Sequence, residues 1–378
     1  MGWRYVDWHR TDMNDSLTPN LHGLVQSGIE LGARAAHTYV SRGVSLACRA
    51  DRHYAFKYCS PSRSALQTGR NPISVNVQNV VPEVSNPDDP IGGWQGIPTA
   101  MTGVASLLKR AGYATHAVGK WDVGMATAKH HPRARGYDTW LGYWHHANDY
   151  WQHTEEMCSG SAVRDLWEYN ATFDGPAHWL ANGADCSQKN QAPAGQRCVY
   201  EEELLTDRVI EVVGAHDTSS PMFLFWSMHL VHMPLQVPQA YLDRFSDIKN
   251  TFRHSMSAMV AYMDDEVGRV AGALRDRGMF DSSLLVFHAD NGGEIMGAGI
   301  CGGNNWPLSG GKFSNWEGKH ASRAVATTDS LPPAPTSALA SAHGTRALAP
   351  PPQAESGSMR SCRVARCRRH VAVRRKQR

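Results

Sequence analysis

Residues 59–70 read Cys-Ser-Pro-Ser-Arg-Ser-Ala-Leu-Gln-Thr-Gly-Arg, which sets a thiol and a guanidinium one helical turn apart. Pro61 suits the first turn of a helix, where its missing N–H costs nothing. Ser64, Ala65, Leu66 and Gln67 can continue that helix, and Gly69 can stop it. Cys59 then lies at a helix N-terminus, where free amides and the dipole favour an anion. Arg63 can reach back to the same point with a planar fork that suits a tetrahedral oxyanion. Taken alone, a cysteine in this place is more plainly a buried structural residue. The surrounding pattern makes it a candidate nucleophile.

Positioning such a group needs a scaffold, and the apolar pattern supplies one. Residues 20–31 read as a short helix leading into a strand, and 98–111 as a helix with Met101, Val104, Leu107 and Leu108 on one face, ended by Gly112. Residues 115–118, 222–228 and 284–288 are strands, and 201–214 and 256–276 are amphipathic helices. This alternation predicts an α/β fold with a largely parallel sheet. The strands run directly into Lys120, into His229 and His232, and into Asp290 and Asn291. Open α/β sheets place ligands at that edge.

With its fixed positions in view, the segment Cys59–Arg70 resembles the signature of the type I sulfatases, C-x-P-S-R-x-x-L-x-T-G-R. The resemblance implies the alkaline-phosphatase-like α/β fold, a mostly parallel sheet flanked by helices. It also implies that Cys59 is oxidised by a formylglycine-generating enzyme to formylglycine, whose hydrate attacks the sulfur of a sulfate ester. Residues 112–121 are similar to the second family signature, which ends Gly-Lys-Trp-His. Lys120 would contact the ester, but Asp122 stands where the family has histidine. A carboxylate can accept a proton there and cannot donate one as an imidazolium does. His232, in a His-x-Pro segment, would protonate the leaving oxygen, with His229 structural. Asp290-Asn291-Gly292-Gly293 resembles the turn that binds a metal together with residue 59. Oxygen ligation of this kind points to one Ca²⁺ or Mg²⁺ per chain. Residues 302–312 and 316–318 resemble the arylsulfatase B-like branch, with Lys312 as a second sulfate-binding lysine. Asp138 and residues 146–151 resemble a segment lining the substrate cleft.

Two departures accompany these matches. Family members open on a strand followed by Asp-Asp-x-Gly-Trp, whereas this chain opens on Met1-Gly2-Trp3. The first strand, its aspartate pair and the C-terminal subdomain are therefore expected to be missing, with Asp7, Asp12 and Asp15 nearby. The resemblance covers residues 2–31 and 51–318. We expect a catalytic domain over 1–318, interrupted by an insertion at about 32–50, and a disordered Ala/Pro/Arg-rich tail over 319–378.

Charge and cysteines narrow the class. The net charge of +3 divides into +9 over residues 321–378, where eleven Lys/Arg face Asp329 and Glu355, and −6 over the remainder. A mildly acidic body argues against nucleic-acid binding. No apolar run is long enough for a membrane span, and no signal-peptide pattern follows Met1. None of the eight cysteines forms a C-x-x-C pair, while Cys186 and Cys198 bracket a loop that a disulfide could close. Asn14 and Asn170 head glycosylation sequons. The family implies a lysosomal or extracellular setting and a sulfated carbohydrate or aryl sulfate substrate. Two alternatives stay open: an impaired or truncated homologue that only binds sulfated ligands, and a phosphatase or phosphonate hydrolase of the same superfamily.

Overall fold

The computed structural model describes residues 2–10, 16–31, 54–78, 95–156, 161–177, 198–295, 301–320 and 324–327. The expected insertion and nearly all of the tail lie outside them, as do Asp12, Asp15, Asn14 and Cys186. In chain order the elements are α1 (Pro19–Ser27), β1 (Ile29–Leu31), α2 (Cys59–Thr68), α3 (Val104–Arg110), β2 (Ala114–Gly119) and β3 (Thr139–Gly142). The short strands β4 (Thr154–Glu156), β5 (Ala162–Arg164), β6 (Trp167–Tyr169) and β7 (Asp174–Pro176) follow. Then come α4 (Glu201–Ala215), β8 (Met222–Ser227), α5 (Gln239–Asp243), α6 (Thr251–Asp276), β9 (Leu285–His288), α7 (Glu317–His320) and β10 (Ala324–Thr327).

The sheet core is parallel: β2 pairs in parallel with β3 on one side and with β8 on the other. An antiparallel hairpin, β6–β7, extends it beyond β3. Helices cover both faces, as the alternation of β2 requires. Val118 packs with Leu205, Val209 and Val213 of α4, while the adjacent Ala117 packs with Ala105 of α3, Trp121 and Trp140. The helix read over 98–111 is shorter than the pattern predicts, and Leu107 turns to solvent while Ala105 is fully buried. Gly112, at φ +87°, lets the chain reverse after it, as expected.

The long helix α6 is the second anchor. Its Asp264 accepts hydrogen bonds from the backbone N–H groups of Asn20 and Leu21, which holds the first turn of α1 against it. Asp7 is similarly engaged, accepting from the N–H groups of Leu17 and Thr18 and from the Ser16 hydroxyl. Its oxygens therefore serve the entry to α1 rather than an ion site.

A separate three-stranded antiparallel sheet, in the order β1-β10-β9, stands beside the five-stranded one. β8 ends the larger sheet and β9 ends the smaller. Among the described residues no strand pairs with either along the side where both line one cavity of about 1160 Å³. Its walls are β8 and β9, and apolar side chains of α2, α3 and α6 close it from both layers. A six-residue strand in a sheet occupies on the order of 950 Å³, from a 3.3 Å rise, 4.8 Å strand spacing and 10 Å layer spacing. The space is large enough for one such strand. It also explains why β8, an apolar run of the kind buried on both faces, is half-buried over most of its length.

Candidate active site

The site gathers at the C-terminal ends of β2, β8 and β9, against the N-terminus of α2. Helix α2 begins at Cys59 after an extended Tyr58, and Gly69 closes it at φ +66°, as the Pro/Gly pattern predicts. Cys59 is buried at 1% exposure and free, and its Sγ lies 3.7 Å from Asn291 Oδ1.

Arg63, one turn along the helix, links the three strand ends. Its Nε and Nη2 both reach Asp290 Oδ2 at 3.0 Å. Its Nη1 donates to the Lys120 carbonyl at 3.2 Å and to the Ser227 hydroxyl. Burial pushes the Asp290 carboxyl up, but Arg63, Lys120 and Lys312 outweigh it and hold the group ionised, well below the usual carboxylate range.

Lys120 reaches the site because Gly119, at φ +96°, lets β2 turn against β8. A Cβ there would stand 2.0 Å from the Ser227 carbonyl oxygen. Two residues on, Asp122 takes φ +54°, a left-handed conformation uncommon outside glycine, though aspartate adopts it more readily than most residues. Its Oδ1 accepts from the Ser60 hydroxyl at 2.7 Å and lies 2.8 Å from His146 Nδ1, while Oδ2 lies 3.3 Å from Lys120 Nζ. Burial pushes its pKa up, but Lys120, His146 and Arg63 bring it down to about 2.

His232 and Lys312 complete the ring. His232 Nδ1 lies 2.8 Å from the Met233 carbonyl, an acceptor only, so this nitrogen carries the proton and Nε2 accepts from Lys312 Nζ at 2.8 Å. Burial, with the Lys312 and Lys120 charges, keeps the His232 pKa well below the ordinary range, so the ring is neutral. Behind it His229 is buried, stacked on Tyr150 with ring centroids 4.0 Å apart, and its Nδ1 is 3.1 Å from Glu201. That placement is the structural one the sequence predicts.

The structure thus brings Cys59, Arg63, Lys120, Asp122, His232, Asp290, Asn291 and Lys312 to one place. Asp138 is not among them: it bonds the Thr115 N–H at the start of β2 and pairs with Lys109, at the far end of that strand from Lys120. Sequence reasoning misses Ser60, Ser227 and the His146 contact. Ser60 adjoins the cysteine and was open to inference, whereas Ser227 and His146 are reached only through strand pairing.

The donor set answers only in part to a divalent cation. Asp290 and Asn291 bring one carboxylate and one amide oxygen beside position 59, but Arg63 already holds Asp290 Oδ2. No group of three or more His, Cys, Asp or Glu that could hold a metal ion exists among the described residues. Ca²⁺ takes six to eight oxygens, so these residues alone do not make a complete site. Cys59 is a free, buried thiol. Elsewhere, beside the cluster of Tyr150, Trp151 and Tyr200, Cys198 is disulfide-bonded. Among the described residues no helix is long and apolar enough to cross a membrane.

Comparison with known proteins agrees with this geometry. Among curated proteins the chain is 29% identical to mouse arylsulfatase J over 84% of its length and 44% of that protein's. It is 31% identical to pig N-acetylgalactosamine-6-sulfatase over 71% of its length and 47% of that protein's. The chain therefore spans about half the length of the curated relatives it matches. Among solved structures it is similar to Ps i-CgsB in complex with k-i-k-neocarrahexaose, at TM-score 0.65 and 25% identity, covering 87% of this chain and 63% of that one. The fold is shared with PsFucS1 sulfatase from Pseudoalteromonas sp., at TM-score 0.67 and 19% identity over 88% of this chain and 60% of that one. These likenesses fix the family rather than its arylsulfatase B-like branch. The sulfatase family profile matches residues 34–342, most of the chain, and the protein belongs to the sulfatase family.

Proposed function

We propose that this chain carries the catalytic centre of a sulfuric ester hydrolase that acts on a sulfated carbohydrate or aryl sulfate. The observation that supports it most is the meeting of a buried, free Cys59 at a helix N-terminus with three cations, Arg63, Lys120 and Lys312. A formylglycine at position 59, made by a formylglycine-generating enzyme, would supply a hydrated aldehyde, an oxygen nucleophile whose second hydroxyl allows sulfate to be released afterwards.

The surrounding residues bind and orient. Lys120 and Lys312 offer ammonium groups to the equatorial oxygens of the ester, where charge grows as the S–O bond breaks. Arg63 keeps Asp290 and the ends of β2 and β8 in place and brings its own positive charge. His232 presents Nε2 to the Lys312 ammonium, so a proton passed to a departing alcohol comes from the Lys312–His232 pair rather than from an isolated imidazolium. Asp290, Asn291 and residue 59 are the groups through which Ca²⁺ or Mg²⁺ would be held, with further oxygens from elsewhere. The cation would screen the negative charge of the ester. The disulfide at Cys198 supports a secretory route for the protein.

The test is release of sulfate from p-nitrophenyl sulfate by protein co-produced with a formylglycine-generating enzyme. Activity is expected, with mass spectrometry showing the aldehyde at position 59, and Cys59→Ser should abolish turnover. Full activity in Cys59→Ser would overturn the mechanism. The incomplete cation site favours one rival reading, a homologue that binds sulfated ligands without cleaving them. Calorimetric titration with Ca²⁺ separates the two: micromolar affinity counts against the rival, and no heat supports it.

A further inference from the structure

The family signature that Lys120 belongs to ends in histidine, and this chain has Asp122 there. The structure nonetheless brings an imidazole to that point. Beyond β2 and β3 the two chains stay side by side, with the Trp121 N–H on the Tyr143 carbonyl at 2.9 Å and the Asp122 N–H on the Trp144 carbonyl at 3.1 Å. This register carries His146 to Asp122, where Nδ1 and Oδ1 are 2.8 Å apart. The arrangement is held at some cost, because Asp122 sits at φ +54° with no exposed surface.

The charges explain what the contact does. Asp122 is a fully buried carboxylate, and its Oδ2 has no hydrogen-bond partner, only the Lys120 ammonium 3.3 Å away. A buried carboxylate draws on whatever cation it can reach. If Lys120 were its sole neighbour, the lysine would be committed to Asp122 and lost to an incoming anion. His146 takes Oδ1, together with Ser60, and shares that demand. On its far side His146 Nε2 is buried and has no hydrogen-bond partner among the described residues. The neighbouring His145, with ring centroids 4.5 Å away, is engaged separately by Glu155 at 3.0 Å.

We propose that His146 is a positioning residue of the sulfate site: by bonding Asp122 Oδ1 it fixes that carboxylate against Ser60, at the start of the helix bearing Cys59, and weakens its hold on Lys120, which touches Oδ2 alone. An Asp–His pair drawn from the segments that follow β2 and β3 thus stands in for the single histidine of the family signature. This inference rests on the sulfate-ester reading given above.

The experiment compares the unsubstituted chain with His146→Ala, Asp122→Asn and the double variant, using inorganic sulfate as the probe in calorimetry. Without His146, the Asp122 charge holds Lys120 more tightly and sulfate binding should weaken roughly tenfold. Asp122→Asn removes the competitor and should tighten binding, and the double variant should fall within about threefold of Asp122→Asn. A merely structural role predicts instead that both single changes weaken binding and that their effects add; that result overturns the proposal, as does an unchanged affinity in His146→Ala. A parent protein that neither binds nor cleaves sulfate esters sinks the functional reading separately. The pair is then judged by ¹⁵N NMR of the imidazole. A protonated Nδ1 on His146 that shifts in Asp122→Asn supports the pair, and a ring indifferent to Asp122 overturns it.

Discussion

Replacing Arg63 by methionine is the sharpest single perturbation of this site. The side chain keeps its length and packing but loses all four polar contacts: two to Asp290 Oδ2, one to the Lys120 carbonyl and one to the Ser227 hydroxyl. Breaking a buried pair by removing one partner costs about 3–5 kcal/mol, because the other charge is stranded. Asp290 retains 24% side-chain exposure, and Lys120 and Lys312 still act on it, so about 2–4 kcal/mol is the reasonable expectation. Arg63→Lys should lose about half of that, since one ammonium cannot reproduce a fork. Adding Asp290→Asn to Arg63→Met should recover part of the loss, about 1–2 kcal/mol. Urea unfolding at pH 7 reads all four proteins.

A pH series supplies a second arm. Asp290 is held below its ordinary 3.8 in the folded state, so it adds stability above that value, and the contribution is lost as pH falls through the folded value. Arg63→Met should therefore lose less stability than the parent protein between about pH 4 and pH 2. Stability within about 1 kcal/mol of the parent at pH 7, together with parallel acid limbs, would refute the view that Arg63 ties the strand ends together.

Other changes test other parts of the scaffold. Burial raises Glu201 to about 7 and Glu202 to about 8, so between pH 4.5 and 8 the folded state holds protons that the unfolded chain has released. Stability should fall as pH rises across that window, by up to about 1.4 kcal/mol per unit for each group, and Glu202→Gln should flatten the slope in chemical denaturation. Gly119→Ala should lower the melting temperature by more than about 5 °C, because its Cβ would meet the Ser227 carbonyl at a positive φ; an unshifted melt contradicts the close approach of β2 and β8.

The site was legible wherever chemistry and backbone signals share one short stretch. Pro61 and Gly69 bound α2, and that helix places Cys59 and Arg63 without help from the rest of the chain. Lys120, His232, Asp290 and Asn291 follow because each lies beyond an apolar strand; parallel pairing of β2 and β8 brings the first two together, while the last two arrive from β9 of the separate antiparallel sheet. Contacts made across the sheet left no such trace. His146 meets Asp122 through the β2–β3 register and a left-handed backbone turn, neither of which local pattern encodes. Glu201 and Glu202 open an amphipathic helix, where acidic residues ordinarily satisfy the dipole in water. Here Glu202 instead accepts the N–H groups of His229 and Leu230 in the interior. The parallel core was predictable from alternation, while the antiparallel β6–β7 edge was not, since its three-residue strands are too short to show a period.

The gap that the described residues leave between β8 and β9 has a consequence for how this molecule would behave at high concentration. Along Met222–Ser227 every second backbone amide is directed away from β2, into the open space, so solvent isotope exchange there should alternate fast and slow along the strand. Two sheet borders facing each other over a greasy floor are also a template for any extended segment able to bond on both sides, including one from a neighbouring molecule. Docking of such a segment would fuse the two sheets into one continuous layer and draw Arg63, Asp290 and Ser227 into a rigid frame. The rim that carries Arg63, Asp290 and Ser227 and any such docking would therefore be governed by the same lane.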